Sequence, residues 1–223
     1  MDGAAPPDRD VFLTAPGLGR LVTLEGGEGA GKSSRIDALA AALRADGRAV
    51  VTTREPGGSG GAEAVRALLV EGRADRWSAV AELFLLLAAR LDHLERTIRP
   101  AVADGAVVLC DRFWDSTRVY QALVGGLDLA EVDALHERWL APFRPGLTLV
   151  LDVPADIGLA RARAGRFEAK GADFHARVRR GYLTLAHAEP ARLRVIDAAR
   201  PPDAVTAAAL AAVRAHLTAL ETS

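Results

Sequence analysis

The chain has 223 residues, half of them hydrophobic, and a formal net charge of −1. This composition excludes a disordered chain, supplies a sizeable core, and gives no basic bias toward nucleic acid or a membrane surface. Its one cysteine, Cys110, excludes a disulfide within the chain and points to a reducing, cytoplasmic setting.

Residues 1–19 are acidic and Pro-rich, without a signal-peptide core, and read as a flexible N-terminal arm ending in a Pro-Gly-Leu-Gly turn. Residues 20–223 read as a single domain. RLVTLEG (20–26) is a short buried strand running into glycines. RIDALAAALRADGR (35–48) has apolar residues at helical spacing and a stop at Gly47. AVVTTREPGG (49–58) is a second strand ending in a turn, and GAEAVRALLVEG (61–72) a helix. WSAVAELFLLLAARLDHLERTIRPAVADG (77–105) is a long helical stretch in which Pro100 kinks or ends the first part. AVVLCDR (106–112), LTLVLDV (147–153) and LRVIDA (193–198) complete the strands, with helical patterns between them. The longest apolar run, LFLLLAA (83–89), is bounded by Glu82 and Arg90 and is too short for a membrane span.

Apolar strands alternating with helices predict an α/β fold: a three-layer, doubly wound parallel sheet of about five strands. Ligands of such sheets sit at the carboxyl ends of the strands, where Gly26, Arg54 and Asp111 fall.

Gly26-x-x-x-x-Gly31-Lys32-Ser33, between a predicted strand and a predicted helix, matches a phosphate-binding loop. Gly26, Gly27, Glu28, Gly29, Ala30, Gly31, Lys32, Ser33 and Ser34 are its candidate ATP-binding residues. Glycines let backbone N–H groups turn toward phosphate oxygens, and the helix adds its free N–H groups. Lys32 is one of two lysines in a chain whose cations are otherwise arginine. A flexible point charge reaches β- and γ-phosphates as a planar guanidinium would not. Ser33 can ligate Mg²⁺. An accidental Gly-rich turn is the alternative, and the strand–loop–helix context argues against it. Glu28 is unusual in such a loop, because a carboxylate repels phosphate; it faces elsewhere or meets the metal.

The chain has no asparagine, so the Asn-Lys-x-Asp segment that reads guanine in Ras-type GTPases is missing. A kinase acting on a small phosphorylated acceptor fits better, because two anionic substrates need several arginines. Six segments in order resemble the bacterial thymidylate kinases, which are P-loop nucleoside monophosphate kinases. They are LEGGEGAGKSS (24–34), TREPGG (53–58), AELFLLLAARLDHLERTIRPAV (81–102), CDRFWDSTRVYQ (110–121), FRPGLTLVLDV (143–153) and GRFE (165–168).

The resemblance implies phosphorylation of dTMP to dTDP by ATP with Mg²⁺, in a homodimer, with neither nucleic acid nor membrane as partner. It places Glu28 on the acceptor sugar, and Arg54, Glu55 and Pro56 around the monophosphate. Asp111 would hold Mg²⁺ with Ser33, and Arg112 would grip the acceptor phosphate. Ser116, Thr117, Tyr120 and Gln121 would complete the dTMP pocket. Arg90 would bond the base, with Leu86 where the family usually stacks a phenylalanine on thymine. A helical lid over about 160–174 carries Arg161, Arg163 and Arg166. Arg163 and Arg166 join Lys32 and Arg112 as catalytic candidates, and Glu168 is a possible metal organiser.

Blander readings stay open. Arg54 with Glu55, and Asp111 with Arg112, can be plain ion pairs. Tyr120 can be a half-buried helix aromatic, and Leu83, Leu86 and Leu87 can be core. The lid arginines can be a solvated face. Rival functions are a P-loop kinase for another nucleoside monophosphate or a deoxynucleoside, and a non-catalytic nucleotide-binding regulator. The five histidines show no triad or metal spacing, and Cys110 reads as inert core.

Overall fold

The computed structural model describes residues 19–71, 76–140, 143–161 and 171–222. The N-terminal arm up to residue 18, and Arg163, Arg166 and Glu168 of the expected lid, lie outside the described residues.

Five parallel strands, β1 (Leu21–Glu25), β2 (Val50–Arg54), β3 (Val107–Asp111), β4 (Leu147–Asp152) and β5 (Leu193–Asp197), pair in the order β2-β3-β1-β4-β5. All five predicted strands are present. Alternation decides what each face meets. Val22 and Leu24, Val107 and Leu109, and Leu147, Leu149 and Leu151 point to one layer of helices, α1 (Lys32–Ala45) and α9 (Pro202–Glu221). Leu21, Val108 and Cys110 point to the opposite layer. There α3 (Ala79–His93) leads into a π-helical turn at Leu94–Ile98 and α4 (Arg99–Ala103), and α6 (Leu129–Leu140) packs beside them. Val150 on that face meets Val178, Tyr182 and Leu185 of α8 (Ala172–Ala188).

Register places the functional ends together. Leu24 and Arg54 both pair with Asp111, so the carboxyl ends of β1, β2 and β3 converge on one rim. The remaining helices are α2 (Gly60–Val70), the short α5 (Trp114–Thr117) continued by a π-helical segment Arg118–Leu123, and α7 (Ala155–Arg161). Gly47 ends α1 as expected: at φ 79° it closes a Schellman pair, Arg48 N–H to Leu43 O and Gly47 N–H to Arg44 O.

Pro100 falls where the first part of the long helical stretch ends: the π-helical turn stops at Ile98, and α4 starts at Arg99 with the proline in its first turn, where its missing N–H costs least. One helix, α9, is long and apolar enough to cross a membrane by length and composition alone. Its apolar residues are interrupted, so no continuous run announced it. Val205, Ala209, Val213 and Leu217 bury one face in the core, while Arg214 pairs with Asp46 at 2.8 Å and Glu221 with Arg48 at 2.6 Å.

The α5 turn is pinned from below. Asp115, fully buried, accepts from Arg192 (2.7 Å), Arg118 (3.2 Å) and the Thr148 hydroxyl (3.1 Å). Beside it His136 stacks on Trp114 with ring centroids 4.2 Å apart. Both its ring nitrogens are buried without a hydrogen-bond partner among the described residues. Burial, helped by Arg90 and Arg144, lowers its pKa to about 3. An unfolded histidine takes up a proton near pH 6.5, so folding stability falls as pH drops from there toward 3. His136→Leu removes an unsatisfied polar ring. We expect it to raise stability at pH 7 by ~1 kcal/mol, and by more at pH 5. Urea melts at both pH values check this; a lower midpoint at pH 7 would contradict it.

Candidate active site

A cavity of about 740 Å³ opens along the rim formed by the ends of β1, β2 and β3. The phosphate loop forms one end. Gly26 has φ 139°, and a Cβ there would lie 2.5 Å from the Leu151 carbonyl. Gly29 has φ 68° and sits so close to Gly158 of α7 that no Cβ fits. The loop is therefore seated backbone to backbone on the helix that precedes the expected lid.

Lys32 is buried, and its Nζ donates to the carbonyls of Gly26 (3.2 Å) and Gly27 (3.0 Å). Burial lowers its pKa to about 8, with Arg112 adding to the effect. An anion entering the loop would favour the charged form. Ser33 Oγ donates to Asp111 Oδ2 at 2.8 Å. A hydroxyl and a carboxylate side by side at the loop mouth are hard oxygen donors, and they suit Mg²⁺ held mainly by phosphates and water. No cluster of three or more His, Cys, Asp or Glu of metal-binding kind exists among the described residues, so the fit is to that sparse protein ligation.

Arg112 occupies the centre. Its φ of 67° is left-handed, a strain of ~1–2 kcal/mol for a side-chain-bearing residue. The guanidinium pairs with Glu28 Oε1 at 2.6 Å and lies over the Tyr120 ring at 5.2 Å. Tyr120 Oη also donates to Glu28 Oε1, at 3.3 Å. Burial would raise the Glu28 pKa, but Arg112, Lys32 and the Tyr120 hydroxyl outweigh it and hold it below the usual value. The Glu28 carboxylate is thus engaged by Arg112 and Tyr120.

The far end is a second polar set. Arg90, only 2% exposed, donates Nε to Glu55 at 2.7 Å and Nη1 to Thr117 Oγ1 at 3.1 Å. Its guanidinium also lies 5.1 Å from the Phe113 ring centroid and 5.3 Å from that of Trp114. Behind it His93 Nδ1 reaches Glu55 at 3.1 Å, and His93 Nε2 meets Thr53 Oγ1 at 2.7 Å. Gln121 Nε2 donates to Glu82 Oε1 at 2.8 Å. Leu86 lines the cavity, while its neighbours Leu83 and Leu87 are core.

The family model for thymidylate kinase matches residues 24–209. The chain belongs to the thymidylate kinase family. It is 57% identical over 194 residues to a thymidylate kinase of Caulobacter vibrioides, covering 85% of this chain and 93% of the relative. It is 49% identical over 207 residues to one of Ruegeria pomeroyi, covering 90% and 97%. In structure it is similar to the crystal structure of thymidylate kinase from Ehrlichia chaffeensis, with TM-score 0.66 and 32% identity, over 79% of this chain and 91% of that one. The fold shared with that enzyme is the α/β P-loop kinase fold.

Set against the family reading, Glu28, Gly29, Gly31, Lys32, Ser33 and Ser34 line the cavity with Arg54, Glu55, Pro56, Leu86, Arg90, Asp111, Arg112, Ser116, Thr117, Tyr120 and Gln121. Gly26, Gly27 and Ala30 do not; the first two shape the loop from behind, and Ala30 is 4% exposed in the core. The two plain ion pairs considered from sequence do not form. Arg54 pairs with Glu63 (3.0 Å) and Glu55 with Arg90, while Asp111 takes Ser33 and Arg112 takes Glu28. Of the lid arginines, Arg161 lines the cavity, yet its guanidinium donates to Ala198 O at 3.1 Å.

Sequence reasoning passed over several residues. Arg66, Leu69, Val70, Glu82 and Phe113 also line the cavity. Arg66 lies on the helix that follows the TREPGG segment and donates to the Pro56 carbonyl at 2.7 Å; no motif residue coincides with it. His93 was set aside, although its place three residues after Arg90 on one helix face was a usable signal. Glu25 ends a buried strand just before the loop, and a carboxylate in that place is itself a signal.

Proposed function

We propose that the protein transfers the γ-phosphoryl group of ATP to dTMP, giving dTDP. The observation that carries this reading is one cavity lined by both the phosphate-loop pair Lys32 and Ser33 and the rim cations Arg112 and Arg90. A triphosphate on the loop and a monophosphate at Arg112 would be neighbours, so transfer needs positioning and charge neutralisation, without a covalent enzyme intermediate. Lys32 neutralises charge on the transferred group, and Arg112 holds and neutralises the acceptor phosphate. Ser33 and Asp111 would hold Mg²⁺, which supplies further neutralisation of the phosphates when bound. Closure of the lid, with Arg163 or Arg166 reaching the γ-phosphate, belongs to the same proposal.

Thymine recognition follows from the far end. Glu82 can only accept, so it fixes the Gln121 amide with its N–H toward the carboxylate and leaves the carbonyl as an acceptor. An acceptor beside the Arg90 donors matches an imide, which offers N–H between two carbonyls. Cytosine offers the reverse pattern at that edge, and its mismatch would leave buried groups unpaired.

With ATP held saturating, dTMP should give the highest kcat/KM of dTMP, dUMP, dCMP and dGMP. The missing methyl of dUMP should lower kcat/KM roughly tenfold, and dCMP should fall ~100-fold or more. Comparable turnover of dCMP or dGMP would overturn the acceptor assignment; ATP binding without turnover of any monophosphate would make the protein a regulator. Val80 and Phe84 of α3, 51% and 56% exposed, are apolar residues on the surface suited to a homodimer contact. A single-chain mass by light scattering on the same sample would refute that. The cytoplasm is the proposed location, in keeping with the lone, buried Cys110.

A further inference from the structure

We propose that Glu25 is a positioning residue for acceptor binding: its buried carboxylate holds the turn that presents Arg112, and through Tyr182 ties that turn to α8. This rests on the reading of Arg112 as the acceptor-phosphate ligand.

Glu25 is 0% exposed at the carboxyl end of β1. One oxygen, Oε1, accepts the backbone N–H groups of Phe113 (2.8 Å) and Ser116 (3.2 Å). The other, Oε2, accepts the hydroxyls of Ser116 (2.6 Å) and Tyr182 (2.9 Å). All four donors belong to the turn after β3 or to α8. An apolar residue at position 25 would leave them without this acceptor in the interior.

The same two hydroxyls reach Arg112. Its Nη1 lies 3.3 Å from Ser116 Oγ and 3.2 Å from Tyr182 Oη, besides 3.2 Å from the Gly26 carbonyl. Each hydroxyl donates to Glu25 and so offers a lone pair to the guanidinium. The chain guanidinium, hydroxyl, carboxylate therefore has one direction, and it fixes the face of Arg112 that is left for the cavity. Burial, with Asp115 adding, raises the Glu25 pKa to about 7 against Arg112 and the hydrogen bonds. A carboxylate so placed is unfavourable unless its acceptors are used. Here they hold a residue whose φ of 67° must be imposed by its surroundings.

Tyr182 makes the hub more than local. It is 1% exposed on α8, ten residues beyond the helix start at Ala172 that follows the lid. Through it α8 is joined to Glu25 and Arg112.

The test is steady-state kinetics on the full chain for Glu25→Gln, Tyr182→Phe, the double variant and Arg112→Ala, with thermal melts of each. Gln keeps the shape but turns one acceptor oxygen into a donor facing the two hydroxyls. Glu25→Gln should raise KM for dTMP roughly tenfold while KM for ATP stays within about twofold. Tyr182→Phe should move KM for dTMP the same way by about threefold, and the double variant should be no worse than Glu25→Gln alone. A purely structural role would lower the melting temperature and the active fraction without moving KM for dTMP, and that result overturns the proposal. Should Glu25→Gln not fold, an unchanged KM for dTMP in Tyr182→Phe overturns it equally. If Arg112→Ala is impaired while the others match wild type, only the role of Glu25 fails. If Arg112→Ala also leaves KM for dTMP unchanged, the acceptor reading itself fails.

Discussion

Lys32→Ala is expected to lower kcat about a thousand-fold or more while the protein stays folded. The ammonium sits buried in the phosphate loop, held by the carbonyls of Gly26 and Gly27. Its burial lowers its pKa to about 8, so its charge is held there at some expense to the folded state. That expense is recovered when a triphosphate enters and the charge spreads onto the transferred group, where a preorganised cation acts most strongly. Deleting it removes transition-state stabilisation but little packing, so the melting temperature should move by only a few degrees. Lys32→Arg should not rescue, because a planar fork does not follow the loop's curvature. Near-normal turnover by Lys32→Ala would remove the basis of the phosphate-loop reading.

Arg112→Ala should lower kcat/KM for dTMP by ~100- to 1000-fold, a scale typical of losing one preorganised donor at a reacting anion. The loss is double. The acceptor phosphate loses its cation, and Glu28 loses its 2.6 Å guanidinium partner, which leaves a less neutralised carboxylate lining the same cavity. Arg112→Gly separates function from backbone strain. Glycine adopts φ 67° without strain, so this variant should melt no lower than Arg112→Ala while being just as inactive. Activity retained in both, measured as kcat/KM for dTMP, would refute the assignment of the acceptor site.

Much of the fold is local information. Apolar strands between helical patterns, glycines after β1 and a Gly stop at residue 47 are short-range signals, and all five strands form where these signals put them. The phosphate loop is equally local, since nine consecutive residues carry it. Less local features were harder to see. The π turn before Pro100 is not visible in the sequence, because it depends on how the helix packs. The apolar face of α9 was hidden by intervening polar and small residues.

The amino-acid order by itself determined the layered parallel sheet, the phosphate loop with its single lysine, and the set of arginines needed for two anions. Only the tertiary structure decided who partners whom. Adjacent residues such as Arg54 and Glu55, or Asp111 and Arg112, were natural ion pairs on paper, but strand register and the turn at Arg112 send each to a different partner. Glu25 and His93 acquire their roles through contacts from far along the chain: 157 residues separate Glu25 from Tyr182, and 38 separate His93 from Glu55. The physical reason is range: helix and turn preferences act over a few residues, whereas burial and hydrogen-bond pairing are settled by whichever groups the packed sheet brings together.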